Sequence, residues 1–117
     1  MTSRTLSRGD IVLTRFPFTD LTGSSLRPAL VVSAGQIGQD IVLIGISSVV
    51  RGAFVPSDYV VDTTHSEFGS TGLRVTSVVR THKLVTVERS VIVRRLGVIG
   101  PQLQAEVDRL LRVVLRL

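Results

Sequence analysis

The side chains that could do chemistry in this chain are mainly arginines, serines and threonines, with two histidines and no cysteine. The lack of cysteine excludes thiol nucleophiles, disulfides and cysteine zinc sites. No glycine-rich segment has the spacing of a phosphate-binding loop or a dinucleotide-binding motif. His65 and Glu67, with one residue between them, could touch a metal ion, but this pair is more typical of a solvated loop. The sequence therefore predicts no metal site and no cofactor.

The remaining chemistry is that which needs only arginine, hydroxyl groups and in some cases histidine, and the intramolecular cleavage of RNA is one such reaction. The nucleophile is the ribose 2′-hydroxyl of the substrate, so the reacting groups are already adjacent. The protein must orient the sugar–phosphate, stabilise the charged pentacoordinate phosphorus and assist two proton transfers. Arginine performs the first two tasks directly, because its guanidinium forms bidentate bonds to phosphate.

The charge of the chain is strongly basic. Fourteen lysines and arginines against nine acidic residues give a formal net charge of +5, and Lys83 is the one lysine. An arginine-rich surface suits a polyanionic partner. A bias in genome composition explains the same excess equally well, so the charge alone does not identify a partner.

Neither a membrane segment nor a secretory signal is predicted. The longest apolar runs, near residues 29–32 and 41–46, fall well short of the roughly 20 residues of a membrane helix. The first eight residues are polar and carry Arg4 and Arg8, without the apolar block of a signal peptide. Together with the lack of cysteine, this pattern leads us to expect a cytoplasmic protein.

Most of the chain has the pattern of short strands separated by turn residues. Strands are predicted over residues 10–16, 28–33, 40–48, 58–62, 74–80, 84–88 and 90–96. The second and third of these pair naturally as a hairpin around the turn at residues 35–38. Regular short strands at this spacing favour a small barrel or a sandwich.

The C-terminal segment instead has helical periodicity. Gly100 followed by Pro101 matches a helix start. The arginines near the end of this helix are explained by the helix dipole and by pairing with Asp108. We therefore predict a single domain over residues 1–117, with a barrel over about 8–98 and a helix over about 101–116. The apolar stripe of the helix comprises Leu103, Val107, Leu110, Leu111, Val114 and Leu117.

Five segments of the sequence resemble the MazF/PemK toxin family. They are residues 8–13 (Arg-Gly-Asp-Ile-Val-Leu), 16–20 (Phe-Pro-Phe-Thr-Asp), 26–32 (Leu-Arg-Pro-Ala-Leu-Val-Val), 72–80 (Gly-Leu-Arg-Val-Thr-Ser-Val-Val-Arg) and 96–97 (Leu-Gly). They span nearly the whole chain in the family's order, and the combination is more specific than any one segment. The resemblance implies a mainly β fold, an SH3-like barrel of about five to seven short antiparallel strands with a C-terminal amphipathic α-helix. It also implies a homodimer that cuts single-stranded RNA at short specific sequences without a metal.

The resemblance further implies the catalytic residues. The arginine of the family's Arg-Pro motif is its central catalytic residue, and Arg27 occupies that position here. A threonine or serine that closes the third strand assists at the scissile phosphate, which corresponds to Ser47, with Ser48 beside it. Serine keeps the hydroxyl group of the commoner threonine but lacks the methyl group that stiffens the side chain. Outside this motif, Arg27 would be read as an ordinary charge at the start of a strand.

The segment after Val79 departs from the family. In one branch it reads Arg, any residue, Asp, and both charged residues act at the cleavage site, whereas this chain has Arg80, Thr81 and His82. Arg80 is thus a candidate second catalytic cation. His82 can contact RNA, transfer a proton near neutral pH or simply face solvent. In another branch the corresponding residues read RNA bases, a role that would fall to His82 and Lys83.

The loop over residues 17–26 borders the substrate groove in the family. Phe18 can stack on an unpaired base or pack as a hydrophobic anchor of the loop. Asp20 can accept hydrogen bonds from a base edge or cap the turn, and general turn chemistry favours the cap.

The family also implies a cognate antitoxin whose disordered acidic tail orders in the groove. Two other functions are compatible with the same scaffold: a toxin that binds DNA gyrase without cutting RNA, and a non-catalytic nucleic-acid-binding barrel. A gyrase binder has no need of the phosphate clamp formed by Arg27 and Ser47, and an aromatic content of 4% counts against a base-stacking platform. The sequence therefore favours the toxin of a type II toxin–antitoxin system, acting as a metal-independent endoribonuclease.

Overall fold

The computed structural model describes residues 5–15, 26–50, 52 and 54–117. The strands in these parts of the chain are β1 (Asp10–Thr14), β2 (Arg27–Val31), β3 (Asp40–Ser47), β4 (Asp58–Val61), β5 (Ser77–Glu88) and β6 (Ile92–Val98). One α-helix, α1 (Pro101–Leu115), follows the last strand. Short 3-10 helices at Phe68–Thr71 and Arg89–Val91 lie in the connections.

The six strands form one antiparallel sheet in the order β4-β5-β3-β2-β1-β6. Strands β2 and β3 are the predicted hairpin, with Leu30 opposite Ile44. The edge strands β4 and β6 are not paired with each other within the described residues, so the barrel is not closed. The predicted class, mainly β with a C-terminal helix, is confirmed.

Both faces of the central strands are buried. Neighbouring residues of β1, Ile11 and Val12, enter different apolar clusters, and so do Leu43 and Ile44 of β3. Alternate residues of a strand point to opposite faces, so this partition requires apolar residues at consecutive positions. The burial of both faces explains why the sequences of these strands are continuous apolar runs. The first cluster also holds Leu103, Val107 and Leu111, by which α1 packs on the sheet.

Strand β5 corrects the prediction of two separate strands over residues 74–80 and 84–88. It runs unbroken for 12 residues. Ile44 pairs with Leu84 and Ile46 with Val79, so residues 80–83 form a bulge opposite the single residue between those two positions of β3. The polar sequence of this bulge looks like a turn, but it stays in the strand. Bulges redirect side chains and are frequent beside functional sites.

The segment at residues 8–10 ties the start of the sheet to the rest of the fold. Arg8 Nη2 lies 2.7 Å from Asp108 Oδ1 on α1. The buried carboxylate of Asp10 accepts a hydrogen bond of 3.0 Å from Arg95 Nε in β6. Gly9 between them has φ of +96°, a backbone conformation that favours glycine. The Arg-Gly-Asp residues of the family resemblance are therefore explained by their contacts in the fold.

The helix ends before its predicted apolar stripe does. Leu103, Val107, Leu110 and Leu111 are buried, whereas Leu117 is 85% exposed. Arg116 takes a left-handed φ of 56° and terminates α1 at Leu115, which carries the last residue away from the sheet. In the described residues, no helix combines the length and the apolar character needed to span a membrane.

Candidate functional site

Five of the predicted site residues line one open groove of about 340 Å³. The groove lies where the start of β2, the end of β3 and the bulge of β5 come together. The sheet order places β3 between β2 and β5, so these three segments meet although they are far apart in sequence. The lining residues are Arg27, Pro28, Gly45, Ile46, Ser47, Ser48, Val49, Arg80 and Lys83.

Arg27 is the first residue of β2 and its side chain is exposed. Its backbone carbonyl accepts a hydrogen bond of 3.0 Å from the hydroxyl of Thr14, a fully buried residue of β1 directly opposite. Pro28 restricts the preceding residue to extended conformations, which favours the strand geometry of Arg27. The guanidinium is thus attached to a well-supported backbone and reaches the groove from it.

Ser47 is the last residue of β3 and is half-buried. Its hydroxyl oxygen accepts a hydrogen bond of 3.1 Å from the backbone N–H of Val49. A serine hydroxyl has one hydrogen to donate, and this acceptor bond leaves that hydrogen to serve a ligand. The geometry favours donation to an anionic oxygen in the groove. Ser48 follows it, exposed on the same groove wall.

The side chain of Arg80 bonds to a buried carboxylate that does not line the groove. Its Nε donates a hydrogen bond of 3.2 Å to Oδ1 of Asp58, the residue directly opposite it on β4. The Asp58 side chain is 1% exposed and that of Arg80 is 31% exposed. The guanidinium therefore lies between a buried carboxylate and the open groove.

The groove is strongly cationic. Arg27, Arg80 and Lys83 line it, and none of the described residues that line it is acidic. Three cations around a cavity of this size attract a phosphate by coulombic forces that added salt would weaken. Serine hydroxyls beside the guanidinium groups supply further donors. This arrangement suits an oxyanion that gains charge during a reaction.

His82 lies beside the groove without lining it. Its Nδ1 is 3.0 Å from Ser57 Oγ and 3.9 Å from Asp58 Oδ1. Both groups approach the same ring nitrogen, so the ring cannot pass a proton between them as the histidine of a Ser-His-Asp triad does. The predicted contact of His82 with RNA stays a prediction. It is the one described residue of the predicted site that is not among the groove-lining residues.

Two predicted site residues, Phe18 and Asp20, lie outside the described residues.

The candidate metal pair, His65 and Glu67, is joined by a hydrogen bond of 2.9 Å from the backbone N–H of Glu67 to Nδ1 of His65. The Glu67 carboxylate, however, accepts hydrogen bonds from the first turn of α1, so its contacts are those of a helix cap.

Sequence reasoning missed the two residues that support the cations from behind, Thr14 and Asp58. Both lie in predicted strands, and the sequence pattern identifies them only as strand residues. The signal that identifies them is their register opposite Arg27 and Arg80. The register of β4 against β5 could not be read from the sequence, because a long connection separates the two strands.

Fold and groove together define a small, mainly β protein with one cationic, hydroxyl-lined cleft at the junction of three strands. A family model described as PemK-like, MazF-like toxin of type II toxin–antitoxin systems matches residues 7–115. This match covers almost the whole chain, and the chain belongs to that family. No curated protein sequence matches the chain.

Several solved structures share the fold. MazF of Deinococcus radiodurans (Form-I) has a TM-score of 0.73 at 21% identity, covering 98% of this chain and 100% of that one. A MazE–MazF structure (Form-III) from the same organism has a TM-score of 0.71 at 23% identity, with 97% and 99% covered. An endoribonuclease in complex with its cognate antitoxin, from a mycobacterial species, has a TM-score of 0.70 at 16% identity, with 98% and 97% covered.

Proposed function

We propose that this toxin is a metal-independent, sequence-specific endoribonuclease that cleaves single-stranded RNA in the groove. The observation that carries the proposal is that Arg27, Ser47 and Arg80 line the same cleft. Members of the fold described as endoribonucleases support it. Ser48 adds a hydroxyl and Lys83 a cation for binding the RNA. His82 and Lys83 are proposed to set the sequence preference, and Phe18 and Asp20 are further proposed contacts to the substrate.

In the proposed reaction the ribose 2′-oxygen attacks the adjacent phosphorus. The 2′-hydroxyl gives up its proton to water as a new O2′–P bond forms, the P–O5′ bond breaks, and the departing O5′ receives a proton from water, so the two proton transfers balance. The products are a 5′-hydroxyl end and a 2′,3′-cyclic phosphate, which water can open to a 3′-phosphate. Negative charge on the non-bridging oxygens is greatest in the pentacoordinate transition state. The guanidinium groups and the Ser47 hydroxyl therefore stabilise that state more than the substrate.

The same cations would attract the toxin's partners. Solved structures of the fold include complexes with MazE and with a cognate antitoxin. We propose that this chain forms a homodimer, acts in the cytoplasm and is inhibited by an antitoxin whose acidic, disordered tail occupies the groove. RNA and the acidic tail would then compete for Arg27, Arg80 and Lys83.

Incubation of the purified chain with a long single-stranded RNA in excess EDTA tests this proposal. We expect cuts at one short sequence, with 5′-hydroxyl ends and 2′,3′-cyclic or 3′-phosphates. Cleavage at random positions, or cleavage that EDTA abolishes, contradicts the mechanism. RNA binding without cleavage indicates a nucleic-acid-binding barrel, and inhibition of DNA gyrase with intact RNA indicates the gyrase-binding alternative.

The Ser47→Ala variant tests the hydroxyl donor in the same assay. Loss of one donor to the charged phosphorane is expected to slow cleavage about 100-fold. Ser47→Thr keeps the hydroxyl and is expected to retain most of the rate. Equal rates for Ser47→Ala and the unmodified chain would remove Ser47 from the site.

A further inference from the structure

Asp58 lies directly behind one of the groove's cations, and no part of the proposed mechanism uses it. We propose that Asp58 is a positioning residue that fixes the guanidinium of Arg80 for reaction in the groove. This inference rests on the proposed ribonuclease function. It assigns to a buried carboxylate the task of orienting a group that contacts the substrate.

The two carboxylate oxygens of Asp58 bind different partners. Oδ2 accepts a hydrogen bond of 3.1 Å from the backbone N–H of Val55, which closes the turn before β4. Oδ1 accepts the 3.2 Å bond from Arg80 Nε. The first contact is local and structural, whereas the second crosses to β5 and ends on a residue that lines the groove.

The second contact uses Nε of Arg80, so the two Nη groups can bind a ligand in the groove. Asp58 binds Arg80 at Nε, and neither Nη group donates a hydrogen bond to a described residue. An arginine can bind a phosphate through its two Nη groups while Nε is held elsewhere. Anchoring at Nε removes rotational freedom before the substrate arrives, which is the basis of pre-organisation.

A buried carboxylate next to an anion-binding groove has an electrostatic cost. Asp58 repels a phosphate, so a protein selected only for RNA affinity would gain by losing this charge. Its presence, with a side chain that is 1% exposed, is consistent with a role in orientation. Removing the charge therefore has two opposite consequences, weaker orientation of Arg80 and weaker repulsion of RNA.

The Asp58→Asn variant separates these consequences in steady-state cleavage of an RNA oligonucleotide. An asparagine has one acceptor oxygen and cannot serve both Val55 and Arg80. We expect kcat to fall about 10-fold, with KM unchanged or lower because repulsion has decreased. A variant with unchanged kcat, or with a raised KM alone, would overturn the proposal.

The Arg80→Ala background distinguishes positioning from a structural role of the turn. If Asp58 acts through Arg80, adding Asp58→Asn to Arg80→Ala causes no further loss of rate. If Asp58 acts through the turn at Val55, the loss is equal in both backgrounds, and the proposal fails.

Asp62→Asn is the matched control, because Asp62 also accepts turn hydrogen bonds but is solvent-exposed. The kcat of this variant is expected to equal that of the unmodified chain.

A measurement that needs no activity keeps the two proposals apart. In a ¹⁵N NMR spectrum the Arg80 Nε–H, identified by its absence in Arg80→Lys, is expected to exchange slowly with water. Asp58→Asn is expected to accelerate that exchange. Identical exchange in both chains would refute the Asp58–Arg80 anchor. If the unmodified chain does not cut RNA, the ribonuclease proposal fails, while this spectrum still reports on the pair.

Discussion

The buried hydroxyl of Thr14 donates a 3.0 Å hydrogen bond to the backbone carbonyl of Arg27, the residue opposite it in the sheet. This bond joins the interior of the protein to the residue that has the main role in the proposed mechanism. The backbone position of Arg27 depends on Thr14, which is fully buried and is not among the residues that line the groove.

Thr14→Val replaces that hydroxyl by a methyl group of similar size. The carbonyl of Arg27 then loses a partner, and the expected cost is about 1 kcal/mol in the free energy of unfolding, measured by urea denaturation. Cleavage is expected to slow as well, because the backbone of Arg27 is less restrained. Thr14→Ser retains the hydroxyl and should recover most of the rate. Unfolding and cleavage both identical to the unmodified chain would show that the bond is unimportant.

Glu67 caps the terminal helix from a distant loop. Its two carboxylate oxygens accept hydrogen bonds of 2.9 and 2.8 Å from the backbone N–H groups of Gln102 and Leu103. Glu67→Ala leaves these donors without their partner and is expected to lower the free energy of unfolding by about 1 kcal/mol. A thermal or urea denaturation curve measures this loss, and a change below about 0.3 kcal/mol would contradict the capping role.

Gly100→Ala tests the same cap through a clash with the capping side chain. A Cβ at Gly100 would lie 2.4 Å from Cδ of Glu67, so alanine displaces the capping side chain and destabilises the fold. The φ of Gly100 is −84°, which alanine adopts without strain. In a Glu67→Ala background that clash is absent, so the same substitution is expected to cost less than in the unmodified chain, and the loss that remains reflects the weaker preference of alanine for an N-cap position. An equal loss in both backgrounds would show that another contact governs Gly100.

The acid sensitivity of the fold depends partly on Asp108. Burial alone would raise the pKa of this carboxyl, but hydrogen bonds from Arg8 and Gln104 and the nearby arginine charges outweigh burial and hold the pKa below 3.8. A lowered pKa in the folded state means stability that is present above pH 3.8 and is lost as the pH falls through the folded value.

Asp108→Asn tests this dependence. At neutral pH it is expected to lower the free energy of unfolding by about 0.5 kcal/mol, since the pair with Arg8 is partly exposed. Urea denaturation at a series of pH values should show this difference shrinking below pH 3.8 and disappearing in stronger acid. A difference that stays constant across the whole range would mean that the charge of Asp108 contributes nothing.

The sequence predicts more of the fold than of the residues that support the site. Apolar runs bounded by turns predicted the strands, and the pattern behind Pro101 predicted the helix, because both signals are local. The bulge at residues 80–83 was not predictable, since its polar residues have the composition of a turn and only pairing with β3 keeps them extended. The predicted apolar stripe was wrong at Leu117, because the left-handed backbone conformation of Arg116 ends the helix before that residue.

The site was predicted through the family resemblance. Arg27, Ser47 and Arg80 stand at the family's motif positions, and the structure brings them to one groove. The partners behind them, Thr14 and Asp58, depend on strand register, which no local pattern encodes. His82 shows the same limit, since its contact with Ser57 follows from the pairing of β4 with β5.

The central claim is that the guanidinium of Arg27 stabilises the phosphodiester as it breaks, and the single-turnover cleavage rate of Arg27→Ala tests it most directly. Arg112→Ala, which removes the same charge from the exposed face of α1, is the matched control. We predict that Arg27→Ala lowers the rate at least about 1000-fold while the protein keeps its melting temperature, and that Arg112→Ala changes it less than about 3-fold. Equal rates for the two variants would contradict the assignment of Arg27 and, with it, the ribonuclease mechanism.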